Sequence, residues 1–329
     1  MVSRKNGFAS FLFSKAKFVR CKCVFFPLIS KMFKIKKNGQ GRVNMLSTVL
    51  TTTLGFSTGL VNAGEVGILP MIVNFTFFVA YISMGAAFVF FITQRNSVAP
   101  EYRTALTLSA IIVGIAAFHY FYMKGLYSDT TLPLLAENAA KNAGNYAKIT
   151  RDSFLGIINF RYMDWLITTP LLVAKIPLAV AAGRKVGKVV AYLIIADLLM
   201  IVAGFIGEQY VADVTTHLVW GAISTIGYVG IVYFLFTTVK EMAKTAEPEE
   251  RWAVKWMSMF VITGWGIYPI GYMIPSLFPQ LDLNIVHAVY NLGDQINKIG
   301  PGIIIYLAGA QLLARRRKDI PTGEFATAT

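Results

Sequence analysis

Apolar residues gather into seven long runs, at about 68–94, 102–126, 153–178, 188–207, 216–240, 253–277 and 285–314, with polar breaks between them. Each run reaches the ~20 residues that a helix needs to cross ~30 Å of hydrocarbon. The breaks "AGRKVGK", "EQYVADVTT" and "PSLFPQLDLN" carry the Gly, Pro and Asp signals of tight turns. Residues 125–151 form the one long connection, which admits a small hairpin at 128–145. Helices satisfy their own backbone groups in lipid, so no other strand is needed. The pattern predicts an all-α membrane protein, a single domain of seven transmembrane helices over residues 64–318 followed by a short tail at 319–329.

Composition agrees: 55% of residues are hydrophobic, 15% are charged, and mean hydropathy is +0.57. The few cations set the orientation. Arg95 and Arg103 flank the first connection, Arg184, Lys185 and Lys188 the third, and Lys240, Lys244, Arg251 and Lys255 the fifth; Arg315, Arg316, Arg317 and Lys318 close the last helix. The fourth and sixth connections carry none, while Lys124, Lys141, Lys148 and Arg151 dilute the asymmetry in the second. The positive-inside rule places the C-terminus in the cytoplasm and the start of the first helix outside.

The first 44 residues conflict with that topology, because they hold eleven Lys or Arg and no Asp or Glu, +11 of the net +14. They read as a basic targeting segment or as an extension upstream of a true start at Met45. From Met45, "MLSTVLTTTLGFSTGLVNAGE" has the form of a secretory signal with a small-residue site after Ala63, so removal up to about residue 63 is expected. The alternative is a basic tail on an acidic lipid surface. Because the basic excess sits in this segment, it does not imply nucleic acid. Cys21 and Cys23 also lie here, which leaves the core without a disulfide or thiolate metal site.

The third run, "FRYMDWLITTPLLVAK", places ionisable groups among apolar ones. Arg161, Asp164, Trp165, Thr168, Leu172 and Lys175 are spaced 3, 1, 3, 4 and 3, one stripe of a 3.6-residue helix. Charges at such depth cost ~2.5–3.5 kcal/mol each on insertion scales and usually mark an ion or proton path; buried ion pairs that lock helices are the structural alternative. In the seventh run Asp294 and Lys298 stand at i and i+4, with the lysine near mid-span, too deep to snorkel. Such a lysine is either a neutral amine or covalently used, for example as a Schiff base. Two carboxylates would serve as its counterion. The sixth run, "WGIYPIGY", puts Trp265, Tyr268 and Tyr272 on one face with Pro269 kinking the helix, and with Trp165 they could box a flat apolar ligand.

In combination, "RYMDWLITTPLL", "WGIYP" and "DQINK" resemble the microbial (type 1) rhodopsins over nearly all of residues 65–318, and "FHYFYMKGLY" is similar to the second helix of the proteorhodopsin and xanthorhodopsin branch. The resemblance implies seven helices enclosing a retinal pocket. It implies retinal as a Schiff base on Lys298, Asp164 as primary counterion and proton acceptor, Asp294 as second counterion, and Arg161 on the extracellular side of them. His119 would contact the counterion, where the plainer reading is a polar bridge between helices. Tyr268 would hydrogen-bond Asp294. Trp165, Thr168, Thr169, Leu172, Met200, Gly204, Ser224, Trp265, Pro269 and Tyr272 would line the chromophore pocket, and Leu172 stands where leucine accompanies green absorption. Relatives form pentamers or hexamers.

Lys175 departs from the common pattern, since most outward pumps of this family carry a carboxylate there as donor. A minority, resembling those of Exiguobacterium, carry lysine. A lysine that is neutral at rest could serve; one that stays charged would leave a slow, sensory photocycle. Asp164, Thr168 and Lys175 match neither the sodium-pump nor the chloride-pump set, and the carboxylate release pair of haloarchaeal pumps is not found in "SLFPQLDLNIVHAV". Gly221 stands where xanthorhodopsin-like proteins open a window for a carotenoid antenna, although a small residue also suits helix packing. The expectation is a green-light-driven outward proton pump of the plasma membrane; the alternative is a sensory photoreceptor. No nucleophile–base set, metal cluster or phosphate loop suggests an enzyme.

Overall fold

The computed structural model describes residues 61–180 and 185–318. The expectations for the basic extension at 1–44, for most of the signal-like segment, for Arg184 and for the tail at 319–329 fall outside the described residues.

Among the described residues, seven long helices follow the seven apolar runs: α1 (Ile68–Thr93), α2 (Arg103–Leu126), α3 (Tyr146–Leu178), α4 (Gly187–Glu208), α5 (Val214–Phe234), α6 (Pro248–Leu277) and α7 (Leu283–Lys318). Each packs on the next, and α7 closes the ring against α1. Six of them are long and apolar enough to cross a membrane. The exception, α3, carries Lys148, Arg151, Asp152, Arg161, Asp164 and Lys175 along its 33 residues. Its burial explains how it is tolerated. Arg161, Asp164, Trp165, Thr168, Leu172 and Lys175 are all buried, whereas Met163, Leu166 and Ile167 between them face outward. The stripe read from spacing is thus the inner face of α3, and the residues off it are the lipid-facing ones.

The second connection is helical. A π-type turn at Tyr127–Thr131 leads into a helix at Leu132–Ala140, so the hairpin admitted at 128–145 does not form. The segment behaves as helix because Pro133 falls in its first turn, where a missing N–H costs nothing, and Leu132 and Leu135 bury against the bundle. In α6 the regular pattern breaks at a π-type turn over Phe260–Gly264 and resumes at Ile267. Pro269 is the cause: its ring excludes the carbonyl of Trp265, four residues earlier, from normal helix geometry. The break turns Trp265 inward, 4% exposed. Asn297 uses the same irregularity, since its Nδ2 donates to the Gly264 carbonyl at 3.0 Å.

At the end of the bundle where α7 finishes, Arg315 pairs with Glu247 and Glu249 and Arg316 with Glu101, tying α7 to α6 and to the turn before α2.

Candidate functional site

Lys298 occupies the centre of the ring, 2% exposed, and its position follows from the α7 stripe described by Asp294 and Lys298. Its Nζ donates to Asp164 Oδ2 of α3 and, at 3.1 Å, to Asp294 Oδ2 one turn back on its own helix. Arg161 lies one turn from Asp164 on α3, with Nη1 3.9 Å from Asp294 Oδ2. Two cations and two carboxylates therefore sum to zero charge in the buried interior, which is how four buried charges are sustained.

The carboxylates are held individually. Asp294 accepts from the Tyr268 hydroxyl at 2.5 Å, from the Tyr120 hydroxyl at 2.8 Å and from the Trp165 indole at 3.3 Å. Asp164 is served by Thr168, whose hydroxyl donates to the Asp164 carbonyl at 2.9 Å and lies 3.4 Å from Oδ2. His119 brings Nδ1 to 3.3 Å from Asp164 Oδ1, close enough to interact electrostatically but without the alignment of a hydrogen bond. Arg161 is fixed by donating to the Tyr120 hydroxyl at 2.7 Å and to Asn291 Oδ1 at 2.5 Å, with its guanidinium over the rings of Phe77, Tyr120 and Tyr290.

Beside this cluster a cavity of about 330 Å³ runs between α3, α4, α5, α6 and α7. Lys298, Asp294 and Asn297 form its polar end; Trp165, Thr169, Leu172, Met200, Gly221, Ser224, Trp265, Tyr268, Pro269 and Tyr272 form walls predicted from the sequence. Thr168 and Gly204 were also expected there and lie outside the lining. Thr168 caps Asp164, and Gly204 stands behind Tyr162, whose hydroxyl would be 2.8 Å from a Cβ at that position. Tyr162, Tyr228 and Tyr290 line the cavity without having been singled out, because an aromatic residue in an apolar run carries no polar signal. Asp197 is another addition: buried on α4, it accepts from the Thr169 hydroxyl at 2.9 Å and so couples α4 to the floor of the cavity. As the sole carboxylate inside the α4 run before Glu208, it was visible in the sequence.

Lys175 stands 11 residues beyond Asp164 on the same face, about 16 Å along the helix. It is fully buried, and its Nζ donates to Ser109 Oγ at 3.2 Å. Among the described residues no carboxylate lies within ion-pair distance of it.

Ring, internal amine and aromatic cavity together define a class: a seven-helix membrane protein with a buried primary amine at the end of an apolar, aromatic-walled cavity. Comparison with known proteins agrees. Residues 71–312 match the family described as bacteriorhodopsin-like protein. The chain is 32% identical over 237 residues to the green-light absorbing proteorhodopsin of Gamma-proteobacterium EBAC31A08, a match covering 70% of this chain and 84% of that one. It is 33% identical over 238 residues to the blue-light absorbing proteorhodopsin of Gamma-proteobacterium Hot 75m4, covering 71% and 84%. Xanthorhodopsin, described as a light-driven ion pump with dual chromophore, superposes with a TM-score of 0.62 at 28% identity over 76% of this chain and 96% of its own. The chain belongs to the bacteriorhodopsin-like family, the microbial rhodopsins, and is a multi-pass retinal protein of an ion- and proton-transporting family.

Proposed function

We propose that the chain is a light-driven outward proton pump, and one observation carries the reading: Lys298 Nζ sits between Asp164 and Asp294 at the mouth of an aromatic cavity. The cavity fits retinal in chemistry as well as in extent, since its walls are aromatic and aliphatic and its one amine stands at the end beside two carboxylates. Bound through Lys298, retinal would supply absorption of visible light and a light-triggered release of the proton at Nζ.

The protein's own groups do the rest. Asp164 accepts that proton, because its Oδ2 is the carboxylate oxygen in direct contact with Nζ. Asp294 stays ionised, held by three donors and faced by Arg161, so the two balance each other and the cluster remains neutral while Asp164 is protonated. His119 adjusts Asp164 from the other oxygen. Lys175 returns a proton from the far side. Basic residues at Arg315, Arg316, Arg317 and Lys318 support assigning that side to the cytoplasm, which makes the net flow outward. Leu172, buried against the cavity, supports green absorption.

The test is the pH of an unbuffered suspension of retinal-supplied cells expressing the full chain under green light. Acidification abolished by a protonophore is the expected result. Alkalinisation would reverse the assigned direction, and a coloured protein without pH change would establish the sensory alternative.

Lys175 gives a sharper prediction. Lys175→Met removes the only basic group on the uptake side of the α3 stripe and is expected to slow turnover by about 100-fold. Flash spectroscopy checks this, with azide restoring the rate because a small mobile acid replaces the missing donor.

Gly221 supports a second ligand. It lines the cavity and is partly exposed on the outer face of α5 beside exposed Ala222, so the wall there is thin. Packing also favours glycine, since a Cβ would lie 2.7 Å from the Tyr272 ring, which stacks on His217. A carotenoid antenna predicts energy transfer in the fluorescence excitation spectrum when carotenoid is added, and its loss in Gly221→Trp.

A further inference from the structure

One stripe on the inner face of α7, beside Asn297, places five buried polar side chains in strict 3, 4, 3, 4 spacing: Asn284, His287, Asn291, Asp294 and Lys298. The stripe spans 14 residues, about 21 Å, from the amine toward the end of the helix at Leu283. Four of the five are hydrogen-bonded to other side chains: Lys298 and Asp294 to each other, Asn291 to Arg161 and Thr76, and Asn284 to Tyr127 and Tyr146. His287 is the exception. It is fully buried, and neither ring nitrogen has a protein partner.

Its surroundings are two hydrogen-bonded systems that stop on either side of it. Toward Lys298, Arg161 shares the Phe77 ring with His287: the guanidinium lies 5.5 Å from that ring's centroid and the imidazole centroid also 5.5 Å. Toward the helix end, the Tyr127 ring is 5.7 Å away; its hydroxyl donates to Asn284 Oδ1 at 2.7 Å, Asn284 donates to the Tyr146 hydroxyl at 3.3 Å, and that hydroxyl donates to partly exposed Asp282 at 2.8 Å. The groups facing the imidazole are Phe77 from α1, Tyr127 after α2, Phe154 and Arg161 from α3, and its own helix's Asn284 and Asn291. Among the described residues no carboxylate stands within ion-pair distance of it. A buried polar atom without a partner is rare, and water is the smallest group that serves two such nitrogens.

Building on the proton-pump reading, we infer that His287 is the relay that carries the released proton across the gap between the Arg161 cluster and the Tyr127–Asn284–Tyr146–Asp282 chain. One ring nitrogen takes up a proton from the Arg161 side. The opposite nitrogen gives its proton, through water ordered by the Tyr127 and Tyr146 hydroxyls, to the carboxylate of Asp282, while Asn284 holds those hydroxyls and passes no proton; the ring is left neutral with its tautomer exchanged, and its rotation restores the first tautomer. One proton enters and one leaves, with no other reactant.

The experiment is flash excitation of the full chain with retinal in vesicles, timing the appearance of the proton outside with a pH-sensitive dye against the loss of the proton from Nζ read in the visible spectrum. His287→Gln keeps a donor and an acceptor but cannot take up a proton; His287→Phe suits the aromatic surroundings. Both are expected to delay dye-detected release by about 100-fold, with the visible spectrum and the first proton transfer unchanged. If either variant assembles too little pigment, Tyr127→Phe, which removes the next hydroxyl, must show the same delay. Release timed as in the wild type, in any of the three, overturns the relay. A wild type that releases no proton to the outside overturns the pump reading itself, which keeps the two failures distinct.

Discussion

Lys298→Ala yields a protein with no visible absorption and no light-driven pH change, at any concentration of added retinal. The expectation rests on covalent chemistry: the amine at the mouth of the cavity is the one nucleophile in its lining able to condense with an aldehyde. The substitution also leaves Asp164 and Asp294 facing one another without the cation between them, and breaking a buried pair costs about 3–5 kcal/mol. Lower thermal stability should therefore accompany the loss of colour, and alone it would be an ambiguous result. Lys298→Arg separates the two effects. The guanidinium keeps a positive charge in the four-charge cluster but offers no primary amine. A colourless Lys298→Arg with near wild-type stability assigns the colour to the covalent bond; a coloured one would sink that assignment. The measurement is a visible spectrum of membranes titrated with all-trans-retinal, beside a thermal melt.

Much of this site was legible before any coordinates because lipid makes polarity conspicuous. In a run selected for apolar character, Arg161, Asp164, Lys175, Asp294 and Lys298 can be found by inspection, and 3.6-residue periodicity puts them on inner faces, where the structure has them. The 3, 4, 3, 4 stripe through Asn284, His287 and Asn291 is written in the sequence, and so is the lone Asp197 of α4.

Other features left no such mark. Tyr120 joins Arg161 to Asp294, yet a tyrosine between Phe118 and Phe121 is indistinguishable by pattern from packing aromatics. A Cβ on Gly264 would lie 2.1 Å from Asn297 Oδ1 and would displace the amide that bonds the Gly264 carbonyl, a constraint visible only once α6 and α7 are side by side. The helix at Leu132–Ala140 was hidden by its length: nine residues with two buried leucines are too few to declare a period.

Asp164→Asn should abolish transport while sparing the pigment. Asparagine is nearly isosteric, can still accept from the Thr168 hydroxyl and leaves Lys298, Trp165 and the aromatic walls as they are. What it cannot do is take a proton from Nζ at the position in direct contact with it. General acid–base groups are worth about 100-fold or more, so steady-state acidification should fall at least that far. A second consequence follows from charge. The cluster of Arg161, Lys298, Asp164 and Asp294 is neutral, and Asp164→Asn leaves one excess cation buried next to Asp294. Light shifts positive charge away from the Nζ end of a bound chromophore, so a carboxylate there stabilises the ground state more than the excited state. Its loss should move absorption to longer wavelength. Asp164→Glu restores both the charge and an acceptor and should recover the wild-type colour and a measurable part of the pumping. The decisive comparison is initial acidification rate per absorbed photon in the three proteins. Transport by Asp164→Asn at the wild-type rate would assign the acceptor to Asp294, whose carboxylate, held by Tyr120, Trp165 and Tyr268, is the one other group Nζ touches.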